Sequence, residues 1–284
     1  MEPRPSSVGS VRSNDGTAIG YYELGQGTGL ILVHGAGQTS ENLRTLASEL
    51  SDVFTVYVPD RRGRGTSGPY GDFHGLRIEI EDLSALLEAT GAHYVFGLSA
   101  GAVIAIETAL VRPEIEKLAL YEPPLSFDGV THAAWAPRYE RELKAGKLGS
   151  ALITVMKATA DRTPARYLPR SLLAAPLNLV IRKKANRPVP PGTVSPRDLI
   201  PTLHYDAQTV MDAAGPLERF AGLHCEILLL GGSKSAGNLT ASLDGLSAVL
   251  PGAKRVTLRG MGHTAADNRR QPSLVAAELR AFFA

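Results

Sequence analysis

Residues 95–101 read Val95-Phe96-Gly97-Leu98-Ser99-Ala100-Gly101, and the rest of the chain can be interpreted outward from them. An apolar run from about His93 predicts a buried strand, and residues 102–110 predict a helix directly after the second glycine. Gly-x-Ser-x-Gly between a strand and a helix is the pattern of a turn that exposes a serine hydroxyl above a sheet. The alternative is a small-residue turn that only packs the helix on the strand. We expect Ser99 to be a nucleophile.

The composition is that of an ordinary globular protein. The chain has 284 residues, of which 44% are hydrophobic and 20% charged, with a net charge of +2. This small charge gives no reason to expect nucleic acid or an anionic membrane as a partner. Cys225 is the single cysteine, which excludes an internal disulfide and a cysteine-based zinc site, and we expect a buried structural thiol. Residues 1–14 are polar and no apolar run is long enough to span a membrane, so we expect a cytoplasmic protein.

Strands and helices alternate in the first part of the chain. Asn14-Asp15-Gly16 is a strong turn signal and predicts an opening hairpin. Buried strands are predicted at residues 30–33, 54–58 and 117–121 and from about residue 93, with helices at residues 41–50, 78–89 and 102–110. This alternation predicts a mostly parallel sheet with helices on both faces. Residues 59–68 are rich in glycine and arginine but lack the order of a phosphate-binding loop, so we expect a structural loop.

The alternation stops at Glu122-Pro123-Pro124. The pattern after it predicts helices at residues 135–143, 148–159 and 171–181, a solvated basic run at 182–187 and a stiff proline-rich loop at 188–192. Sheet pattern resumes with strands at residues 227–230 and 254–258 and helices at 239–250 and 273–283. We therefore predict an α/β core, residues 1–124 and 215–284, with an inserted helical cap, residues 125–214.

His263 is the best candidate for the base that a serine nucleophile needs. It follows the last predicted strand in Gly260-Met261-Gly262-His263, at the same edge of a parallel sheet as Ser99. The other histidines lack this context, because they precede strands, lie in loop or cap sequence, or adjoin a glycine turn: His93, His224, His74, His132, His204 and His34.

Three further glycine-containing motifs follow predicted strands: His34-Gly35-x-Gly37, Asp60-x-Arg62-Gly63-x-Gly65-x-Ser67 and Gly260-x-Gly262-His263. Together with Gly-x-Ser-x-Gly they resemble the α/β-hydrolase fold over nearly the whole chain. In most of that family the acid that orients the histidine is an aspartate just after the strand that here ends Leu228-Leu229-Leu230-Gly231-Gly232. This chain has Ser233-Lys234-Ser235 at that place. The usual acid is missing.

Glu122 stands at a second position that the fold is known to use, directly after the strand at residues 117–121. In this respect the chain is similar to Ser-His-Glu lactonases of the zearalenone-hydrolase type. The resemblance implies a Ser99–His263–Glu122 triad. The alternative is that Glu122 only begins the cap, and Asp128 and Asp267 are weaker rivals for the acid.

The resemblance also implies an oxyanion hole formed by the backbone N–H groups of Ala36 and Ala100. A serine at the elbow, where epoxide hydrolases and haloalkane dehalogenases of this fold carry aspartate, points to acyl transfer. No metal cluster or cofactor loop is evident in the sequence, so we expect neither a metal nor a cofactor. The residues expected to line a substrate pocket are Gly35, Trp135, Met156 and Met261.

The function expected from this set of residues is hydrolysis of a moderately apolar small ester or lactone through an acyl-enzyme. The lactone is favoured only by the resemblance at Glu122. Two other classes stay open: a non-hydrolytic enzyme of the same fold, such as a lyase, cyclase or cofactor-free oxygenase, and a ligand receptor that uses the same pocket.

Overall fold

The computed structural model describes residues 7–159, 161, 168–184 and 194–284. Its centre is an eight-stranded sheet with the order β1-β2-β4-β3-β5-β6-β7-β8. The strands are β1 (Ser7–Arg12), β2 (Ala18–Gly25), β3 (Thr28–Val33), β4 (Phe54–Pro59), β5 (Tyr94–Leu98), β6 (Lys117–Tyr121), β7 (Glu226–Gly232) and β8 (Lys254–Leu258). Strand β2 runs antiparallel to β1 and β4, and β4, β3, β5, β6, β7 and β8 are mutually parallel. The mostly parallel sheet predicted from the sequence is confirmed.

Helices cover both faces of this sheet. Those of the core are α1 (Arg44–Leu50), α2 (Leu76–Thr90), α3 (Ala100–Ala109), α9 (Gly237–Val249) and α10 (Pro272–Phe283). On β3, Leu30 and Leu32 pack in the apolar cluster with α1 and α10, while Ile31 and Val33 pack in the cluster with α2, α3 and α9. Because successive side chains of a strand point to opposite faces, a strand covered on both faces is apolar at every position.

A helical insert lies between β6 and β7. It contains α4 (Ala136–Lys144), α5 (Leu148–Ala158), α6 (Arg170–Lys184), α7 (Pro196–Leu199) and α8 (Leu203–Asp212). Tyr139, Val155 and Leu203 belong to a small apolar cluster of the insert, and Ala36 of the core packs against that cluster. The insert therefore has a core of its own that meets the sheet next to the turn after β3.

The structure departs from the sequence-based expectations at several places. Helix α6 runs through Pro176 and extends beyond the predicted residues 171–181. Helix α8 was not predicted, although Leu203, Ala207 and Val210 have helical spacing and are buried. The expectation of a fully buried Cys225 is corrected, because the residue lies just before β7 and is only partly buried, packed against the apolar cluster of α2, α3 and α9. Burial still raises the pKa of its thiol to about 11.

The sequence predicts a solvated basic run at residues 182–187 and a stiff loop at residues 188–192, and the structure describes only the first part of this stretch. The loop at residues 188–192, and residues 185–187 of the basic run, lie outside the described residues. Within that run the Lys183 side chain is exposed. No helix within the described ranges combines the length and the apolar character needed to cross a membrane.

Candidate active site

Ser99 lies in the tight turn between β5 and α3. Its backbone has φ 55° and ψ −119°, in the left-handed half of conformational space that residues other than glycine rarely adopt. A Cβ on Gly97 would lie 2.4 Å from the Ala102 Cα, and one on Gly101 would lie 2.3 Å from the Val33 carbonyl oxygen. Glycine is therefore required on both sides of the serine. The turn holds Ser99 at the carboxyl end of β5, at the N-terminus of α3.

His263 follows β8 and reaches the serine across the end of the sheet. Its Nε2 lies 2.9 Å from the Ser99 Oγ, and its Nδ1 lies 2.7 Å from the Glu122 Oε2. A carboxylate can only accept, so the Nδ1 of a neutral ring carries the proton and Nε2 is left to accept from the serine hydroxyl. His263 is 8% exposed, so this chain of hydrogen bonds is largely shielded from water.

Glu122 is held at the end of β6 by its backbone and by its side chain. Its φ of 48° is unusual for a residue with a Cβ, and its N–H donates to the Leu230 carbonyl at 3.1 Å. The carboxylate is 1% exposed, and its Oε1 accepts the Gly232 N–H at 2.6 Å while Oε2 meets His263. Both oxygens are thus used. A strained backbone at a buried charged residue is a feature that clusters at functional sites.

The place after β7, where the family's usual acid would stand, supports the histidine loop instead. The Ser233 Oγ accepts the Gly260 N–H at 2.8 Å, and the Lys234 N–H donates to the Met261 carbonyl at 2.8 Å. These two bonds tie the end of β7 to the loop that carries His263. Ser233 and Lys234, which stand where a carboxylate was expected, therefore stabilise the loop that carries His263.

The turn after β3 lies against the serine turn. A Cβ on Gly35 would lie 3.2 Å from the Ser99 Cβ. The Gly35 N–H donates to the Gln38 Oε1 and the Gly37 N–H to the Asp206 Oδ2, each at 2.9 Å. Within the described part of the chain, the Ala36 N–H between them has no hydrogen-bond partner, and neither has the Ala100 N–H at the start of α3.

An apolar cavity opens beside this turn. It measures about 340 Å³, and its walls include Ala36, Gly37, Leu152, Val155, Met156 and Leu203. Of the four residues predicted for the pocket, Met156 lines this cavity and Gly35 lies against the serine turn. Trp135 packs edge-to-face on Tyr139 in the insert, with 5.6 Å between ring centroids. Met261 packs against the cluster that contains α1 and α10.

The other candidate acids and bases of the sequence have different partners. The Asp267 Oδ2 accepts from the Gln38 and Asn42 side chains at 3.1 and 2.8 Å, and Asp128 lies in a turn with φ 41°. Burial lowers the pKa of His34 to about 3 and that of His132 to about 4, so both rings are neutral at pH 7.

Some residues of this site were not predicted from the sequence. Asp206 on α8 and Asp161 in the insert each accept a backbone N–H of a site loop, from Gly37 at 2.9 Å and from His263 at 2.8 Å. Both contacts join residues more than 100 positions apart and follow no motif. Among the described residues, no group of three His, Cys, Asp or Glu side chains is arranged to hold a metal ion.

Comparison with known proteins gives the family. The model of the alpha/beta hydrolase family matches residues 30–278. The chain belongs to this family. An α/β hydrolase of Sphaerobacter thermophilus has a similar solved structure, with a TM-score of 0.75, 30% identity, and coverage of 97% of this chain and 100% of that one.

Two curated proteins are similar to parts of this α/β hydrolase. The uncharacterized hydrolase YraK of Bacillus subtilis is 34% identical over 115 residues, 39% of this chain and 42% of YraK. The N-formylmaleamate deformylase of Pseudomonas putida is 36% identical over 110 residues, 37% of this chain and 41% of the deformylase. The matches thus span about two fifths of these relatives, and they do not identify a substrate.

Proposed function

We propose that this α/β hydrolase is a serine hydrolase that cleaves a carboxylic ester or lactone of a moderately apolar small molecule. The observation that carries the proposal is the hydrogen-bonded chain from the Ser99 Oγ to the His263 Nε2, at 2.9 Å, and from the His263 Nδ1 to Glu122, at 2.7 Å. These distances are those of a nucleophile, its base and the acid that orients the base.

In the proposed reaction, the Ser99 Oγ attacks the substrate carbonyl while its proton passes to the His263 Nε2. The resulting oxyanion is bound by the N–H groups of Ala36 and Ala100, which have no partner within the described residues. The intermediate collapses to an acyl-enzyme as His263 returns the proton to the leaving oxygen. Water, deprotonated by the same ring, then releases the acid.

Glu122 is the proposed acid of the triad. Its carboxylate accepts the Nδ1–H of His263. It thereby stabilises the imidazolium that forms when Nε2 takes the serine proton. The Gly232 N–H on its other oxygen, at 2.6 Å, fixes the orientation of the carboxylate.

The proposed substrate class follows from the cavity beside Ala36. A volume of about 340 Å³ with walls such as Leu152, Val155 and Met156 fits an apolar acyl or alcohol group of modest size. We propose residues 125–214 as the cap that forms this wall, since most of the lining residues, including Leu152, Val155 and Met156 of α5, belong to that range. The preference for a lactone rests only on the resemblance at Glu122.

The test is intact-mass analysis after treatment with a fluorophosphonate ester. We expect one adduct per wild-type chain and none on Ser99→Ala. Ser247→Ala is the matched control, because the Ser247 hydroxyl donates to the Leu243 carbonyl within α9, and this variant should keep the adduct. A folded wild-type protein that forms no adduct would contradict the proposal and favour a non-hydrolytic enzyme or a receptor.

A further inference from the structure

Asp206, on α8 of the insert, is fully buried and contacts the turn after β3. Its Oδ2 accepts the Gly37 N–H at 2.9 Å, and its two oxygens pair with the Arg61 Nη1 and the Arg64 Nη2, each at 2.8 Å. Its exposed fraction is 0%. A single carboxylate thus joins the insert, the arginine-rich loop and the turn that contains Ala36.

The two arginines come from the loop at residues 59–68, for which the sequence indicated only a structural role. Arg61 also binds the buried Glu79 through Nε and Nη2, at 3.0 and 2.6 Å, and Arg64 donates to the Thr202 Oγ1 at 3.1 Å. Burial raises the pKa of Asp206, but the charges of Arg64 and Arg61 outweigh burial and lower it. Asp206 is therefore an anion at neutral pH.

The turn after β3 is held on both sides of Ala36, whose own N–H has no hydrogen-bond partner among the described residues. The peptide N–H groups on both sides of Ala36 are bound by side chains, that of Gly35 by Gln38 and that of Gly37 by Asp206. The Arg61 N–H donates to the Nε2 of the neutral His34 at 3.1 Å, which fixes the start of the turn. These bonds hold the peptides on either side of the Gly35–Ala36 peptide, which carries the Ala36 N–H, and so restrict the direction of that N–H.

Gly37 also shows how closely α8 approaches the turn. Its φ is 62°, and a Cβ there would lie 3.1 Å from the Leu203 Cδ2 at the start of α8. The packing of Leu203 against Gly37 and the hydrogen bond from the Gly37 N–H to Asp206 therefore act on the same residue. A shift of α8 would move the acceptor of the Gly37 N–H.

We propose that Asp206 is a positioning residue for the oxyanion hole: it holds the Gly37 peptide so that the Ala36 N–H faces the carbonyl attacked by Ser99. Through this contact the insert controls the reactivity of the serine as well as the shape of the pocket. The inference rests on the proposed function, since a preorganised donor matters only where an oxyanion forms.

The experiment measures the rate constant of phosphonylation of Ser99 by a fluorophosphonate ester. In this reaction the Ser99 Oγ–P bond forms as the P–F bond breaks, fluoride leaves, and the serine proton passes to the His263 Nε2. The phosphonyl oxygen occupies the oxyanion hole. No turnover is required, so the rate reports on the hole without a known substrate.

The variants are Asp206→Leu, Asp206→Asn and Asp82→Leu. Asp82 is the matched control, because it is a buried carboxylate that pairs at 2.6 Å with Arg62, which lies between Arg61 and Arg64 in the same loop. Removing an oxyanion donor slows catalysis by about 10²–10³-fold, so misdirecting one in Asp206→Leu should slow phosphonylation by at least ten-fold. Asp206→Asn keeps an acceptor oxygen and should restore part of the rate, and Asp82→Leu should react like wild type.

Equal rates for wild type and a folded Asp206→Leu would overturn the inference and leave the proposed function standing, as would an equal loss in Asp82→Leu. A wild type that does not react at all would overturn the proposed function and this inference with it. If Asp206→Leu does not fold, amide-resolved hydrogen exchange on the wild type decides: slow exchange of the Gly37 N–H supports the inference, and exchange at the rate of a free amide overturns it.

Discussion

At the scale of single residues, the orientation of the His263 ring depends on Glu122, whose carboxylate has one partner on each oxygen. A glutamine at position 122 can still accept from Gly232, but its neutral amide cannot stabilise the imidazolium as a carboxylate does. We expect Glu122→Gln to lower kcat by about 10²–10⁴-fold, since loss of the acid of a serine triad costs up to about 10⁴-fold.

Steady-state kinetics on a chromogenic ester, together with thermal unfolding, measures this effect. Asp267→Asn is the control, because it removes the charge of the rival carboxylate that binds Gln38 and Asn42. The assignment is wrong if Glu122→Gln keeps near-normal turnover, or if Asp267→Asn loses more.

The neutral His132 ring gives a prediction for stability. Asn238 donates to its Nδ1 at 3.2 Å and its Nε2 lies 2.9 Å from the Ser242 Oγ, so the folded state holds the uncharged form. Burial lowers its pKa from 6.5 to about 4, so the unfolded chain binds the proton first as the pH falls. This contribution to stability is complete above pH 6.5 and is lost between pH 6.5 and 4.

Urea denaturation at a series of pH values tests this sign. Over the interval from pH 6.5 to 4, His132 should contribute a slope of up to about 1.4 kcal/mol per pH unit. We expect His132→Gln to be less stable at pH 7 and to lose less stability on acidification than wild type. If the variant and wild type lose stability with the same slope against pH, the His132 ring takes up its proton in the folded state as readily as in the unfolded chain.

At the scale of secondary-structure elements, α5 supplies a wall of the apolar cavity. Met156 lines it and is 52% exposed, so a larger side chain can be placed there without disturbing the core. Met156→Trp should reduce kcat/KM for p-nitrophenyl octanoate more than for the acetate. A single methylene in an apolar pocket changes kcat/KM by about 10–200-fold, which sets the minimum scale of the expected difference.

The control for this variant is Val111→Trp, which adds the same indole at an exposed aliphatic residue after α3. It should leave the ratio of octanoate to acetate rates unchanged. If Met156→Trp also leaves the ratio unchanged, the substrate does not use this cavity.

Helix α10 closes the face of the sheet that carries α1. The Phe283 ring stacks on Tyr94, with 5.4 Å between centroids, and meets Phe54 edge-on at 6.3 Å. Removing a buried phenyl group costs both its transfer free energy and a cavity. We expect Phe283→Ala to lower the free energy of unfolding by about 3–5 kcal/mol, measured by urea denaturation. A loss below about 1 kcal/mol would mean that the helix end relaxes into the gap.

At the scale of the whole molecule, the α/β alternation was predictable because strands β3 to β7 are short, mostly apolar runs next to helical patterns. The serine turn was predictable because Gly-x-Ser-x-Gly between a strand and a helix is a local motif, although Gly101 is required by the Val33 carbonyl of the neighbouring strand. Helix α8 was missed because it follows a proline-rich stretch in which local pattern is weak. The contact of Asp206 with Gly37 joins residues 169 positions apart, and only the packing of the insert on the core creates it.

Glu122 illustrates a different limit of sequence reasoning. The residue became a candidate because a carboxylate was absent after β7, and local pattern alone would have assigned it to the start of the insert. Its positive φ and its bond to the Gly232 N–H come from the neighbouring strand, so neither could be predicted from the residues around position 122.

The hydrogen bond from Gly232 to Glu122 has a consequence for the history of such chains. The N–H that fixes this glutamate belongs to the end of β7, the strand after which the resemblance places the usual acid of the family. We expect that a carboxylate after β7 would reach the same imidazole that Glu122 reaches from the end of β6. A lineage could acquire the second acid before it discards the first, and exchange one for the other without passing through an inactive ancestor.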